Sequence, residues 1–175
     1  MKFMKPTTII RNEKVHLSLA SLIITIIVSL IIIGVGLIIP IYRTMNNQNI
    51  YISFVMMLTT IIIFFPVFMY VPKRIILSDK QLILQKRIGC LHLSYSEMAE
   101  VCIYNTNNPF TEIRTFGSGG YLGFIGNFHS REIGFYTAYV GDYSQTFLVK
   151  MKSGKKYLFS CEHHTDIVSI IKQKL

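Results

Sequence analysis

Two long uncharged apolar runs constrain this 175-residue chain more than any other feature. Leu17–Ile41 spans 25 residues, and no Asp, Glu, Lys or Arg occurs from Val15 to Tyr42. Ile50–Val71 spans 22 more without a charge. An α-helix needs about 20 apolar residues to cross a hydrocarbon core of about 30 Å. Both runs meet that length, the first with slack for tilt. They predict a two-helix transmembrane hairpin over residues 17–71. A signal peptide fits poorly, because its apolar region is only about 7–15 residues long and ends in a small-residue cleavage site. Here Pro40, Tyr42 and Arg43 close the first run.

The charges set an orientation. Lys2, Lys5, Arg11 and Lys14 precede the first run, Arg43 alone lies between the runs, and Lys73, Arg74, Lys80, Lys86 and Arg87 follow the second. Basic flanks favour the cytoplasmic side. The expectation is therefore an integral protein of the cell (inner or plasma) membrane. Both termini are expected in the cytoplasm, with a short external loop, Arg43–Asn49. Residues 1–16 read as a basic cytoplasmic tail. Tyr42, Tyr51 and Tyr70 fall at the span ends, where amphipathic rings suit the headgroup level.

Within the first run Ser18, Ser21, Thr25, Ser29 and Gly36 share one helix face, which allows close backbone approach in lipid. That face could meet the second helix or a second copy of the chain. Pro66 removes a backbone donor from the second helix and predicts a kink. Neither run carries an Asp, Glu, Lys, Arg or His, which argues against an ion path.

Residues 72–175 have a different texture. Short runs rich in β-branched and aromatic residues alternate with turn residues. Seven strands are predicted near Arg74–Ser78, Gln81–Arg87, Leu91–Tyr95, Glu100–Tyr104, Ile133–Val140, Gln145–Met151 and Lys155–Ser160. Ser153-Gly154 marks the clearest hairpin. From His164 to Leu175 an apolar stripe through Ile167, Val168, Ile170, Ile171 and Leu175 predicts a C-terminal helix. Thr165 or the stretch Ser160-Cys161-Glu162 could cap it. The expected fold is a mostly-β domain, a seven-stranded sandwich or partly open barrel capped by one C-terminal α-helix.

Arg114-Thr-Phe-Gly-Ser-Gly-Gly-Tyr-Leu-Gly-Phe-Ile-Gly-Asn-Phe128, Gly134-Phe-Tyr-Thr-Ala-Tyr139, Thr146-Phe-Leu-Val149 and Gly154-Lys-Lys-Tyr-Leu-Phe-Ser160 follow in that order. This series resembles the bacterial pleckstrin-homology-like (bacterial PH) domains of small membrane proteins, over about Lys73 to Leu175. The resemblance implies seven strands and a C-terminal helix, and it implies no established reaction or ligand. Cys161 stands where that family often has Pro. Eukaryotic relatives by fold often bind phosphoinositides or peptides, an analogy at the level of fold alone.

Gly117, Gly119, Gly120, Gly123 and Gly126 match neither a dinucleotide fingerprint, since Leu122 takes the third glycine's place, nor a phosphate-binding loop. They fit bulges and turns in an irregular strand. The interleaved Tyr121 and Phe124 could pack on the core, touch the bilayer or bury a partner. Cys161, His163 and His164 lack the second ligand pair that a zinc site needs. No nucleophile motif is present. The expectation is no catalytic, metal or cofactor site.

The net charge of +9 divides into +3 before the first run, +1 at Arg43 and +5 in the domain. Anionic headgroups account for the basic residues flanking the runs more simply than nucleic acid does. Lys150, Lys152, Lys155 and Lys156 form a second basic group, read as a solvated hairpin tip or a site for headgroups or an acidic partner. The candidate binding surface is thus Lys73, Arg74, Lys150, Lys152, Lys155, Lys156, Tyr121 and Phe124. The predicted function is a non-catalytic, membrane-anchored binding or scaffold module that recruits or regulates a protein partner or self-associates. The alternative is a sensor of anionic headgroups.

Overall fold

The computed structural model describes residues 9–46, 48–105 and 112–175. The first apolar run forms α1 (Leu19–Ile33), a π-helical turn (Gly34–Ile38) and α2 (Ile39–Met45). The second forms α3 (Ile50–Tyr70), which continues through Pro66. Ser18 starts α1, its hydroxyl accepting from the Ser21 amide at 3.2 Å. Asn49 does the same for α3 through Tyr51 at 3.0 Å. Both helical stretches are long and apolar enough to cross a membrane. Their large side chains point outward: Leu22, Ile26, Leu30, Phe54, Ile62 and Phe65 are all exposed. The buried positions are small ones, Ser21, Gly36 and Ser53 among them. Gly36 lets α3 approach closely, because a Cβ there would stand 2.7 Å from the Thr60 methyl.

The remaining strands form two sheets. β1 (Ile9–Lys14), β2 (Pro72–Ser78), β3 (Gln81–Lys86) and β4 (Cys90–Ser94) make an antiparallel sheet in that order. The second sheet holds β5 (Met98–Ile103), β6 (Ile113–Gly120), β7 (Gly123–Ser130), β8 (Gly134–Val140), β9 (Thr146–Met151) and β10 (Lys156–Ser160). Its order is β5-β9-β10-β8-β7-β6, with β10 parallel to β8. The C-terminal helix α4 runs from His164 to Lys172.

All seven predicted strands are present, but the count of seven is too low: the described residues form ten, in two sheets that do not close on each other. β1 comes from the segment read as a tail. Its sequence, IIRNEK, is two-thirds polar, as an edge strand tolerates. β6 and β7 come from the glycine-rich run. Gly117 and Gly126 face each other across that pair with φ of +118° and +125°. A Cβ on either would collide with the opposing backbone, so glycine is what permits the strands to pair.

The core lies between the sheets and beneath α4. Ile75, Leu77, Leu82, Leu84, Val101, Phe147, Val149 and Phe159 meet Ile167 and Ile171 there. The other face of the larger sheet carries a second apolar cluster, with Phe128, Tyr136, Leu148 and Leu158. Within it the Glu112 carboxylate accepts from the Tyr104 and Tyr136 hydroxyls at 3.0 and 2.9 Å. Burial pushes the Tyr104 hydroxyl up to about 12. The α4 start has no side-chain cap. Ser160, expected as a possible cap, instead accepts the Gly141 amide at 2.8 Å.

Candidate functional site

The apolar hairpin is inserted between two neighbouring strands of one sheet. β1 leads into α1, α3 leads into β2, and β1 and β2 pair over Ile9–Lys14 and Arg74–Ser78. Domain and helices are therefore joined on both sides of the hairpin. The glycine-rich β6–β7 turn adds a third attachment. Leu122, in a left-handed conformation with φ of 56°, donates its amide to the Thr25 hydroxyl at 2.8 Å. Tyr121 sets its ring edge-on to Phe64, with centroids 5.8 Å apart. Ser18 donates its amide to the Gly141 carbonyl at 2.9 Å.

Basic residues gather where these helices meet the sheet. Lys14, Arg74 and Gln85 are cross-strand neighbours on β1, β2 and β3 and share one face. Strict alternation would turn Lys73 and Arg74 to opposite faces. The register shift between Pro72 and Arg74 leaves both exposed instead, flanked by buried Pro72 and Ile75. A cleft of about 540 Å³ runs along this row and is lined by Lys14, His16, Lys73, Arg74, Gln85 and Arg87 among others. No Asp or Glu lines it. Lys14, Lys73, Arg74 and Arg87 form no ion pair among the described residues. Arg87 lays its guanidinium 3.9 Å from the centroid of the Phe68 ring, and Lys86 sits 4.6 Å above Tyr70.

The eight candidate residues do not form one surface. Lys73 and Arg74 belong to the cleft. Lys150, Lys152, Lys155 and Lys156 flank the β9–β10 turn, while Ser160, at the other end of β10, is bonded beside the start of α1 through Gly141. At about 3.3 Å per residue the turn lies roughly 13 Å or more farther from the helices. Three of its lysines have partners. Lys150 pairs with Glu100 at 2.8 Å, Lys152 donates to the Ser96 carbonyl at 2.8 Å, and Lys156 to that of Ile133 at 2.5 Å. Phe124 is buried and meets Tyr143 edge-on at 4.7 Å, so it serves the core rather than a surface. Tyr121 packs on the helices.

Lys14, His16 and Arg87 lie outside the candidate set: strand register sets Lys14 beside Arg74, and the cleft gathers His16 and Arg87 to the same row. A large apolar patch was also missed. Ile113, Phe116 and Phe135 are exposed on β6 and β8, and among the described residues β6 is an edge strand of its sheet. Among the described residues no group of three His, Cys, Asp or Glu side chains could hold a metal. The Cys161 thiol is buried, which pushes it up to about 12 and keeps it protonated.

No curated protein and no solved structure matches this chain. A profile of the bacterial PH domain does match, over residues 73–175, from the start of β2 through α4. It covers more than half of the sequence and leaves out the hairpin and β1. The chain belongs to the bacterial PH domain family.

Proposed function

We propose that this protein is a non-catalytic binding module held at a membrane by its own helical hairpin, presenting a protein-docking face at a fixed attitude to the bilayer. The PH-like fold supports a binding or scaffold role. The observation that carries the fixed attitude is the insertion of the hairpin between β1 and β2. A domain on a flexible tether would samples many orientations; one that pairs a strand from each side of its anchor keeps one. Membrane insertion of the hairpin is supported by its outward apolar side chains, which leave a surface far larger than soluble proteins tolerate.

The docking face is the β6 edge with Ile113, Phe116 and Phe135. These are 62, 77 and 71 % exposed. A free edge offers unpaired backbone groups to an incoming strand, and the aromatic rings supply apolar contact. This face suits a protein partner or a second copy of the chain.

Photo-crosslinkers placed at Phe116 and Phe135 in the full chain, in native membranes, test this. One discrete adduct from both positions, absent with a crosslinker at exposed Lys80 in the β2–β3 turn of the other sheet, is expected. Adducts of equal yield from all three positions would contradict the assignment.

A further inference from the structure

The basic cleft reaches the hairpin at Arg87, which lies on Phe68 and donates its amide to the Val71 carbonyl. Arg87 lines the cleft. Phe68 lines a separate apolar groove of about 330 Å³ between the two helical stretches, with Gly36, Thr60, Phe64 and Tyr121. The guanidinium lies over the ring that closes this groove. The cationic cleft and the apolar groove thus lie on either side of one cation–π contact, where sheet gives way to helix.

We infer that this junction is a binding site for one anionic phospholipid, its phosphate among Lys14, Lys73, Arg74 and Arg87 and an acyl chain along the Phe68–Gly36 groove. The inference rests on membrane insertion of the hairpin and adds a ligand class to that reading. Three features favour a lipid over a soluble phosphate. The four cations have no ion-pair partner among the described residues, so an anion meets no competing carboxylate there. Lys14, Lys73 and Arg74 stand at the ends of β1 and β2 that lead into the helices, and Arg87 follows β3 beside Phe68, where headgroups lie once the hairpin is inserted. The adjoining groove is lined almost wholly by apolar side chains of the two helical stretches, with Phe68 at the end beside Arg87. The β9–β10 lysines, by contrast, lie away from the helices and mostly have partners.

The full chain reconstituted in nanodiscs of phosphatidylcholine with a minor share of phosphatidylglycerol provides the test. Native mass spectrometry of the released protein reads which lipid stays bound. One retained phosphatidylglycerol is expected for the wild type and for K155Q. Arg74→Gln and Arg87→Gln should each lower its retention about fivefold, the equivalent of ~1 kcal/mol per basic residue near anionic lipid. Ile61→Trp, which adds bulk at an exposed position lining the groove, should lower it without changing any charge. Equal retention of both lipids, or unchanged retention in R74Q and R87Q, would overturn the site. Displacement by soluble glycerol phosphate as readily as by phosphatidylglycerol would overturn the acyl-chain half and leave a phosphate site only. Alkaline carbonate extraction of the same variants separates this from the anchoring reading. Variants that lose the lipid but stay in the pellet refute nothing about anchoring, whereas release of the wild type refutes the anchor itself. A matched thermal melt in detergent shows that R74Q and R87Q remain folded.

Discussion

Thr25 on α1 and Leu122 at the β6–β7 turn are 97 positions apart in sequence and share a 2.8 Å hydrogen bond. The Thr25 hydroxyl accepts from the Leu122 amide and donates to the Ser21 carbonyl at 2.6 Å. One side chain thereby ties the helical hairpin to the tip of the β-domain. The bond also holds Leu122 in its left-handed turn, a conformation that non-glycine residues seldom adopt.

Replacing Thr25 tests that tie. Thr25→Val keeps the shape and removes the acceptor, leaving the Leu122 amide without a partner at a cost of about 1–3 kcal/mol. Thr25→Ser restores it. Hydrogen exchange at Leu122 should quicken in T25V and return toward the native rate in T25S. Equal exchange in T25V and wild type would show that the bond holds nothing.

Two glycines with positive φ predict unequal penalties. Gly154, at +82° in the β9–β10 turn, has nothing within 4 Å of a Cβ. Gly154→Ala should therefore cost only conformational strain, about 1–2 kcal/mol. Gly126→Ala adds a collision with the Phe116 carbonyl and should cost clearly more. Chemical denaturation of the two variants in detergent orders them; G126A as the milder change would be inconsistent with a paired β6–β7.

Helix packing at Gly36 predicts a rescue. Gly36→Ala brings a methyl to 2.7 Å from the Thr60 methyl, an overpacking worth about 1–3 kcal/mol. Thr60→Ala removes the opposing atoms, so the double variant should recover most of the loss. A thermal melt of the four combinations gives the coupling.

The β1–α4 clasp predicts an acid-side loss of stability. The Glu13 carboxylate accepts from Arg11 Nε at 2.6 Å and lies 3.1 Å from His163 Nδ1. Burial alone would raise the Glu13 carboxyl, but these two partners outweigh it and hold the group below its ordinary value. A carboxylate depressed in the fold stabilises above its unfolded value, about 4.3, and loses that contribution as pH falls through the lower folded value. Melting temperature should thus decline from about pH 5 downward. Glu13→Gln should be less stable at neutral pH and lose part of that decline. An unchanged acid limb in E13Q would remove Glu13 from the account.

Much of this molecule was legible in sequence, and what was not has a common cause. The apolar runs, the seven strands after Pro72 and the stripe of α4 are local patterns. β1 pairs with a strand some sixty residues away, and IIRNEK has no alternation strong enough to announce it. β6 and β7 were hidden by Gly117, Gly120, Gly123 and Gly126, residues that read as turns although two of them make the strand pair possible. The same non-locality hid the cleft. Lys73 and Arg74 stood out beside the second run, whereas Lys14 joined them only through the register Lys14–Arg74–Gln85 and Arg87 only through the fold of the turn after β3. Lys150 and Lys156 looked like a cluster, yet each turns to its own neighbour.

The central claim is that the hairpin crosses a bilayer and returns β2 to the side that carries β1. Thiol labelling with a membrane-impermeant reagent tests it most directly. Native Cys90 is exposed on β4; Asn12→Cys on β1 and Asn46→Cys between the helices, each in a Cys90→Ser chain, give two further exposed sites. The account predicts that Cys90 and N12C react from one side of sealed vesicles and N46C only from the other. Reaction of N46C from the same side as Cys90 would contradict it.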